Sequence, residues 1–308
     1  MPAGKMHADE PDIDVPLVRR LIAGQFPQWA GLPAEPVASA GTSNAMYRLG
    51  EDMVVRLPRI AGAARDVEKE HRWLPRLAPL LPAAIPVALG RGEPAAGYPW
   101  PWSVYRWLEG RNPTVGPDGG SPGAGRTAEP VLLAADLAGF VAALHRVDPT
   151  DGPPSYRSEP LAARDASTRA AIGELHGTID ADAAVAVWEA ALRAPERTGP
   201  GVWIHADLQP GNLLIANGRL SAVIDFGCLG LGDPAVDLIA AWYLLPAAAR
   251  GTFRTALEAD DAAWARGRGW ALSTALGELR HYRETNPAMA AIARHVIHEV
   301  LTGDECAA

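Results

Sequence analysis

Cysteine is scarce in this sequence of 308 residues, which contains only Cys228 and Cys306. Two cysteines so far apart form neither a disulfide framework nor a metal-binding cluster, and they favour a reduced, cytoplasmic setting. No run of about 18 apolar residues occurs, so no transmembrane helix is predicted and no membrane partner is expected. The polar start of the chain, with Asp9 and Glu10, predicts no signal peptide.

Lysine is almost absent: Lys5 and Lys69 stand among 28 basic residues, and the others are arginines. The net charge of −8 is unevenly placed, because residues 1–110 carry equal numbers of acidic and basic side chains. All of the excess acid therefore lies beyond residue 110. An acidic second half disfavours binding to nucleic acid and suits a neutral or cationic polar ligand, although acidic surface also serves solubility alone.

The predicted elements divide the chain into a strand-rich first third and a helix-rich remainder. Hydrophobic periodicity predicts a helix over 15–30 and another over 63–78 that ends or kinks near Pro75. Short β-rich runs are predicted at 37–40, 45–49, 53–57 and within 85–107. A Gly/Pro-rich loop at 113–126 precedes helices at about 129–146, 159–175 and 180–193, and further helices beyond 227 bury Trp242, Trp264 and Trp270.

Residues 203–227 combine the side chains that phosphoryl transfer requires. Asp207 follows His205 by two residues, Asn212 comes five residues after Asp207, and an Asp-Phe-Gly begins at Asp225. Such a site needs a carboxylate that orients the attacking hydroxyl and oxygen ligands for Mg²⁺ on the nucleotide phosphates. We therefore predict Asp207 as the catalytic carboxylate, and Asn212 and Asp225 as metal ligands.

The residues around this cluster predict how it is held. Apolar runs on both sides of Asn217-Gly218 are typical of a β-hairpin, which would place Asn212 and Asp225 side by side.

Three further polar residues are predicted to support the catalytic loop from behind. His205 is expected to pack beneath the loop and bond to backbone rather than to act as a base. Asp237 is expected to hold the loop through backbone hydrogen bonds. Asp233 precedes a proline, so it either supports the same loop or simply caps a helix.

The first third offers contacts for phosphates. Between two predicted strands lies the turn 41–44, whose backbone N–H groups can cover a phosphate, and we predict Thr42, Ser43 and Asn44 as nucleotide contacts.

On the next strand, Arg56 would place a cation on the α- and β-phosphates. Glu70 on the following helix is predicted to pair with Arg56, in competition with Glu68. The alternative is that Arg56 and Glu70 are ordinary solvated side chains of a strand and a helix.

Taken together, these segments resemble the aminoglycoside phosphotransferase family of small-molecule kinases. The segments that carry the resemblance are 41–44, 54–57, Glu70, 107–110, 205–212, 224–227 and 232–238. The resemblance implies an α+β, bilobal, protein-kinase-like fold. It implies an N-lobe over 1–105 with a five-stranded antiparallel sheet, a helical C-lobe over 106–308, and a hinge at about 103–110.

The resemblance also implies an activity. ATP or GTP would bind with Mg²⁺, its purine held by the hinge at Ser103, Tyr105 and Trp107, and the γ-phosphoryl group would pass to a hydroxyl of a small acceptor. An antibiotic is the expected acceptor, in resistance or self-resistance. The alternatives are a metabolite kinase of the choline, homoserine or sugar type and a non-catalytic nucleotide-binding protein. A monomer or homodimer is expected.

Two positions depart from the family's usual pattern. Arg56 stands where typical kinases carry a lysine, and Gln209 stands where many relatives carry a histidine. A guanidinium keeps the positive charge of the lysine and offers more hydrogen-bond donors.

Overall fold

The computed structural model describes residues 10–37, 43–114 and 129–302. Most of the predicted strand at 37–40, the start of the turn at 41–44 including Thr42, most of the loop at 113–126, and Cys306 lie outside these residues. The described residues form two compact units. The first unit comprises those within Met1–Leu80, Ala84–Glu109 and Ala222–Gly227, and the second those within Leu81–Ala83, Gly110–Ser221 and Cys228–Ala308.

A five-stranded antiparallel sheet forms the centre of the first unit, which confirms the predicted α+β class. Its strands are β1 (Ala34–Pro36), β2 (Asn44–Leu49), β3 (Met53–Pro58), β4 (Ala88–Gly92) and β5 (Trp102–Arg106). They lie side by side in the order β1-β2-β3-β5-β4. Along β2, the buried residues Ala45, Tyr47 and Leu49 alternate with more exposed ones, as expected for a strand with one face against a core.

Two helices lie on opposite faces of this sheet. The helix α1 (Val15–Gln25) shares a buried apolar cluster with Val55 of β3. The helix α2 (Ala61–Leu77) lies against the other face, where Glu70 bonds to Arg56 of the same strand. Successive residues of a strand point to opposite faces, so Val55 belongs to the core while its neighbour Arg56 points towards α2.

A side chain caps the start of α1, and prolines affect the C-terminal ends of the two helices differently. The side chain of Asp14 caps α1 by accepting a hydrogen bond of 2.8 Å from a backbone N–H of its first turn. α1 is shorter than predicted because Phe26 precedes Pro27, and the residue before a proline disfavours the helical conformation. α2 instead continues through Pro75 and ends two residues later at Leu77.

Helices make up most of the second unit. They are α3 (Pro130–His145), α4 (Asp165–Glu174), α5 (Ala181–Arg193), α6 (Ala240–Leu244), α7 (Ala247–Ala256), α8 (Asp261–Tyr282) and α9 (Pro287–Thr302). The helix predicted over 159–175 begins only at Asp165, after a 3₁₀ turn over Leu161–Arg164.

Four short strands complete the described chain. They are β6 (Val202–Ile204), β7 (Leu213–Ala216), β8 (Arg219–Val223) and β9 (Gly230–Gly232). β6 pairs with β9 antiparallel, and β7 pairs with β8 in the predicted hairpin. Asn217 and Gly218 have φ angles of 52° and 75°, the left-handed conformation that a tight two-residue hairpin turn requires.

Tryptophans fill the core of the second unit. Trp242 and Trp270 are buried, as predicted, whereas Trp264 is half-buried and its ring lies 4.8 Å from that of Trp242. Within the described ranges, we find no helix with the length and apolar content needed to cross a membrane.

Two glycines of α8 give a test of this packing. A Cβ atom at Gly267 would lie 2.6 Å from the Cβ of Leu238 and 3.1 Å from the carbonyl oxygen of Ala235. Nothing lies within 4 Å of a Cβ at Gly277. We predict that Gly267→Ala lowers the free energy of unfolding by about 1–3 kcal/mol through overpacking. Gly277→Ala should raise it by about 0.5–1 kcal/mol, because alanine loses less backbone entropy in a helix.

Urea unfolding of both variants beside the parent chain measures these changes. Since the two substitutions are identical and lie on one helix, equal effects at both positions would contradict the described packing.

Candidate active site

The predicted pair between Arg56 and Glu70 is present in the first unit. Arg56 Nη1 donates to Glu70 Oε1 at 2.6 Å and to Glu70 Oε2 at 2.7 Å. The Tyr105 hydroxyl donates to the same carboxylate, which is buried. Glu68, the competing partner, is exposed to solvent. The carboxylate of Glu70 therefore fixes one side of the Arg56 guanidinium, and Tyr105 fixes the carboxylate.

A second carboxylate holds the other side of Arg56. Its Nη2 donates to Asp225 Oδ1 at 2.6 Å. With the amide of Asn44 turned so that its oxygen faces Arg56, that oxygen accepts from Nε at 3.1 Å and from Nη2 at 2.9 Å. Burial opposes the charge of Arg56, but the carboxylates of Glu70 and Asp225 more than offset this and raise its pKa. Arg56 is therefore a permanent cation that bridges β3, α2 and the Asp-Phe-Gly segment.

Asp225 itself is reachable from solvent. Its side chain is 42% exposed, and its φ of 62° is left-handed, an uncommon conformation for a residue other than glycine. Such backbone strain is found most often at functional sites.

The glycine of the Asp-Phe-Gly segment makes contacts that the sequence reading missed. Lys69 donates to the carbonyl of Gly227 and pairs with Asp66 at 3.1 Å. A Cβ at Gly227 would lie 3.1 Å from Asp66 Oδ2 and 3.4 Å from Asp225 Oδ1. Burial raises the pKa of Asp66, and the positive charge of Lys69 partly offsets this rise. A side chain at position 227 would therefore require the Asp66 carboxylate to move by a few tenths of an ångström.

The residues predicted to form the purine-binding hinge make contacts of their own in the first unit. Ser103 is buried in β5, and its Oγ lies 3.0 Å from His71 Nε2. Tyr105 is also buried, on Glu70. The backbone N–H of Trp107 donates to the Asp52 carbonyl at 2.7 Å. The assignment of Ser103, Tyr105 and Trp107 to a nucleotide site stays a prediction.

In the second unit, three side chains hold the carboxylate of Asp207. Oδ1 accepts from Gln209 Nε2 at 2.8 Å and from Arg157 Nη2 at 3.2 Å. Oδ2 accepts from Asn212 Nδ2 at 2.9 Å, and the same amide nitrogen donates to the Asp207 carbonyl at 2.8 Å. These hydrogen bonds fix the orientation of the Asp207 carboxylate. Its side chain remains 22% exposed, so solvent still reaches it.

The backbone just before Asp207 is held by Asp237, in the way predicted. Asp237 is fully buried, and its carboxylate accepts from the N–H of His205 at 3.1 Å and of Ala206 at 2.7 Å. His145 Nε2 lies 3.0 Å from the same carboxylate. His205 packs beneath the loop, fully buried, and its Nδ1 accepts from the Asp207 N–H at 3.3 Å.

Of the two roles predicted for Asp233, the structure shows the helix cap. Its side chain caps the 3₁₀ helix Pro234–Ile239 by accepting from the Ala235 N–H at 3.0 Å, and it pairs with Arg266 at 2.8 Å.

A chain of hydrogen bonds that no local motif indicated extends from Asp207 into α8. Gln209 Nε2 also donates to Glu278 Oε1 at 2.9 Å, and the Tyr243 hydroxyl donates to Glu278 Oε2 at 2.8 Å. Burial, together with the nearby charge of Asp207, raises the pKa of Glu278 to about 7. Burial likewise raises the pKa of Tyr243.

The family of the chain is shown by its sequence match. A model of the phosphotransferase enzyme family (APH) matches residues 35–270, and the chain belongs to this family. The predicted class of enzyme, a small-molecule phosphotransferase, is thereby confirmed. A sequence search of curated proteins gave no match.

Solved structures share the fold. The GDP and kanamycin complex of APH(2")-IIia is 20% identical with a TM-score of 0.71, over 92% of this chain and 97% of that one. The apoenzyme of macrolide 2'-phosphotransferase MphH from Brachybacterium faecium is 23% identical with a TM-score of 0.59, over 95% and 99%. At these identities the likeness concerns the fold alone.

The raised pKa of Glu278 predicts a pH-dependent stability. An exposed glutamate titrates near 4.5, so the folded chain holds the Glu278 proton more tightly than the unfolded chain. This contribution to stability is complete below about pH 4.5 and is lost as the pH rises through about 7. Glu278→Gln, which cannot ionise, should therefore gain up to about 3 kcal/mol relative to the parent between these limits.

Urea unfolding of both proteins at pH 5 and pH 8 gives the two differences in unfolding free energy. If the difference between parent and variant does not change with pH, Glu278 does not titrate in this range.

Proposed function

We propose that the chain transfers the γ-phosphoryl group of ATP or GTP, with Mg²⁺, to a hydroxyl group of a small molecule. The observation that carries this proposal is the Asp207 carboxylate, partly exposed and fixed by Gln209, Arg157 and Asn212. A carboxylate held in this way suits the alignment of an attacking hydroxyl.

In this proposal Asp207 accepts a hydrogen bond from the acceptor hydroxyl and takes its proton as the new O–P bond forms. The bond from the γ-phosphorus to the bridging oxygen breaks, and the nucleoside diphosphate leaves with that electron pair. The loop that carries Asp207 is positioned beforehand by Asp237, so little reorganisation is needed at the moment of transfer.

The donors of the proposed metal site fit Mg²⁺. Asp225 offers a carboxylate, and Asn212 offers its amide oxygen, since the amide nitrogen is engaged with Asp207. Both are hard oxygen ligands, which Mg²⁺ prefers together with water and phosphate oxygens. When bound, the ion neutralises charge on the phosphates.

The nucleotide contacts are proposed for the first unit. Arg56 would contribute its charge to the phosphates, with Glu70 and Asp225 fixing its plane. Thr42, Ser43 and Asn44 would cover the phosphates. The hinge would meet the purine through backbone groups, since the side chains of Ser103 and Tyr105 are turned into the sheet's contacts with α2.

We propose an antibiotic as the acceptor, because the structures with the same fold include a kanamycin complex and a macrolide phosphotransferase. The excess of acidic residues beyond residue 110 suits a cationic molecule of this kind. A choline, homoserine or sugar acceptor would preserve the same chemistry with a different specificity.

Asp207→Asn tests the proposal. The asparagine keeps the size of the side chain but cannot take the proton, so phosphoryl transfer should fall by a factor of about 10² to 10⁴. Nucleotide binding should persist, since Asp207 is assigned to the acceptor hydroxyl.

Transfer is measured as the mass gain of one phosphoryl group on members of a panel that holds kanamycin, erythromycin, choline and homoserine, with Mg²⁺ and either nucleotide. Asp182→Asn, on an exposed position of α5, is the matched control and should retain full activity. Full activity of Asp207→Asn would overturn the assignment, and transfer only to choline or homoserine would replace the antibiotic by a metabolite.

A further inference from the structure

Arg157 contacts the catalytic loop in two places with one side chain. Its Nη1 donates to the carbonyl of Ala206 at 2.5 Å, and its Nη2 donates to Asp207 Oδ1 at 3.2 Å. The side chain is 11% exposed. A guanidinium has a planar, forked set of donors, so it fixes the backbone and the carboxylate relative to each other, which a single ammonium group does not.

The segment that carries Arg157 is itself firmly held. We call residues 152–158 the strap. The strap forms hydrogen bonds with the segment 228–231. The Ser155 N–H donates to the Leu231 carbonyl at 3.0 Å, and the Leu231 N–H donates to the Pro153 carbonyl at 2.7 Å. Ser155 Oγ donates to the Cys228 carbonyl at 2.7 Å and accepts from the Arg157 N–H at 3.1 Å.

A close approach of two backbones keeps the strap in place. A Cβ at Gly230 would lie 2.4 Å from the Ser155 nitrogen and 2.6 Å from the carbonyl carbon of Pro154. The strap therefore lies against a strand residue with no side chain. Arg157 is thus placed by fixed backbone contacts rather than by a flexible loop.

The hydrogen bonds on Asp207 distinguish its two oxygens. A carboxylate oxygen accepts about two hydrogen bonds. Oδ1 already accepts two, from Gln209 and Arg157, whereas Oδ2 accepts one, from Asn212. The remaining acceptor position therefore lies on Oδ2.

We propose that Arg157 is a positioning residue of the transfer reaction, which occupies Oδ1 of Asp207 so that the acceptor hydroxyl bonds to Oδ2. The inference rests on the proposed function, because it gives Asp207 the role of binding that hydroxyl. Arg157 acts through Asp207 and the Ala206 carbonyl.

Kinetics of Arg157→Ala and Arg157→Lys test this role. Loss of the guanidinium opens a second acceptor position on Oδ1, so the acceptor hydroxyl can bond to the wrong oxygen. The kcat of Arg157→Ala should therefore fall by a factor of about 10 to 100, while KM for the nucleotide stays within about twofold. Arg157→Lys should recover part of kcat, because it restores one charged donor. Millimolar guanidinium should also raise kcat of Arg157→Ala and leave the parent unchanged.

Release of phosphate from Mg·ATP and Mg·GTP is followed with water as the acceptor, and phosphoryl transfer with whichever molecule of the panel is active. Arg169→Ala, at an exposed arginine of α4 that pairs with Asp165, is the matched control. A kcat of Arg157→Ala within about twofold of the parent, or a loss that neither lysine nor guanidinium reverses, overturns the inference.

Asp207→Asn in the same assay separates the two proposals. If Asp207→Asn abolishes transfer and Arg157→Ala does not lower it, only the role of Arg157 is wrong. If Asp207→Asn is fully active, the role given to Asp207 is wrong, and the inference about Arg157 is wrong with it. If the parent chain transfers no phosphoryl group to water or to any member of the panel, the proposed function itself is wrong.

Discussion

The buried carboxylate of Asp237 makes the hydrogen bonds on which the loop that carries Asp207 depends. An ionised carboxylate without exposure to water costs several kcal/mol unless donors surround it. Here the donors are the N–H groups of His205 and Ala206, with His145 on the same carboxylate. Ala206 itself has a left-handed φ of 66°, and rotation about this bond sets the direction in which the chain continues to Asp207. The hydrogen bonds to Asp237 thus stabilise a strained backbone, and that backbone sets the direction of Asp207.

The side chains around Asp207 come from separate parts of the second unit. Asn212 and Gln209 lie on the loop itself, Arg157 lies on the strap, and Glu278 lies on α8. Each contributes a hydrogen bond to Asp207 or to a group that bonds to it. Because hydrogen bonds from several packed elements hold the carboxylate, its orientation is set by the fold of this unit.

The part of this site that the sequence predicts is the part encoded locally. Asn212 could be placed beside Asp207 because only five residues of one loop separate them, and Arg56 could be paired with Glu70 because a strand and the next helix are adjacent. Arg157 and Glu278 could not, since only tertiary packing brings them to Asp207. The strand β9 was missed for a similar reason: the Gly-Leu-Gly sequence of Gly230–Gly232 shows no β pattern, and pairing with β6 defines it.

Arg56 carries the same charge as a lysine at this position but differs from it in geometry. Its Nη1 donates to both oxygens of Glu70 and its Nη2 donates to Asp225. The planar guanidinium therefore holds the two carboxylates in a fixed relation. An ammonium group has three donors around a single atom and cannot hold two carboxylates in a fixed plane. Arg56 therefore ties the Asp-Phe-Gly segment to the sheet of the first unit in a way that lysine would not. The exposed part of the Asp225 carboxylate then keeps a defined direction towards solvent.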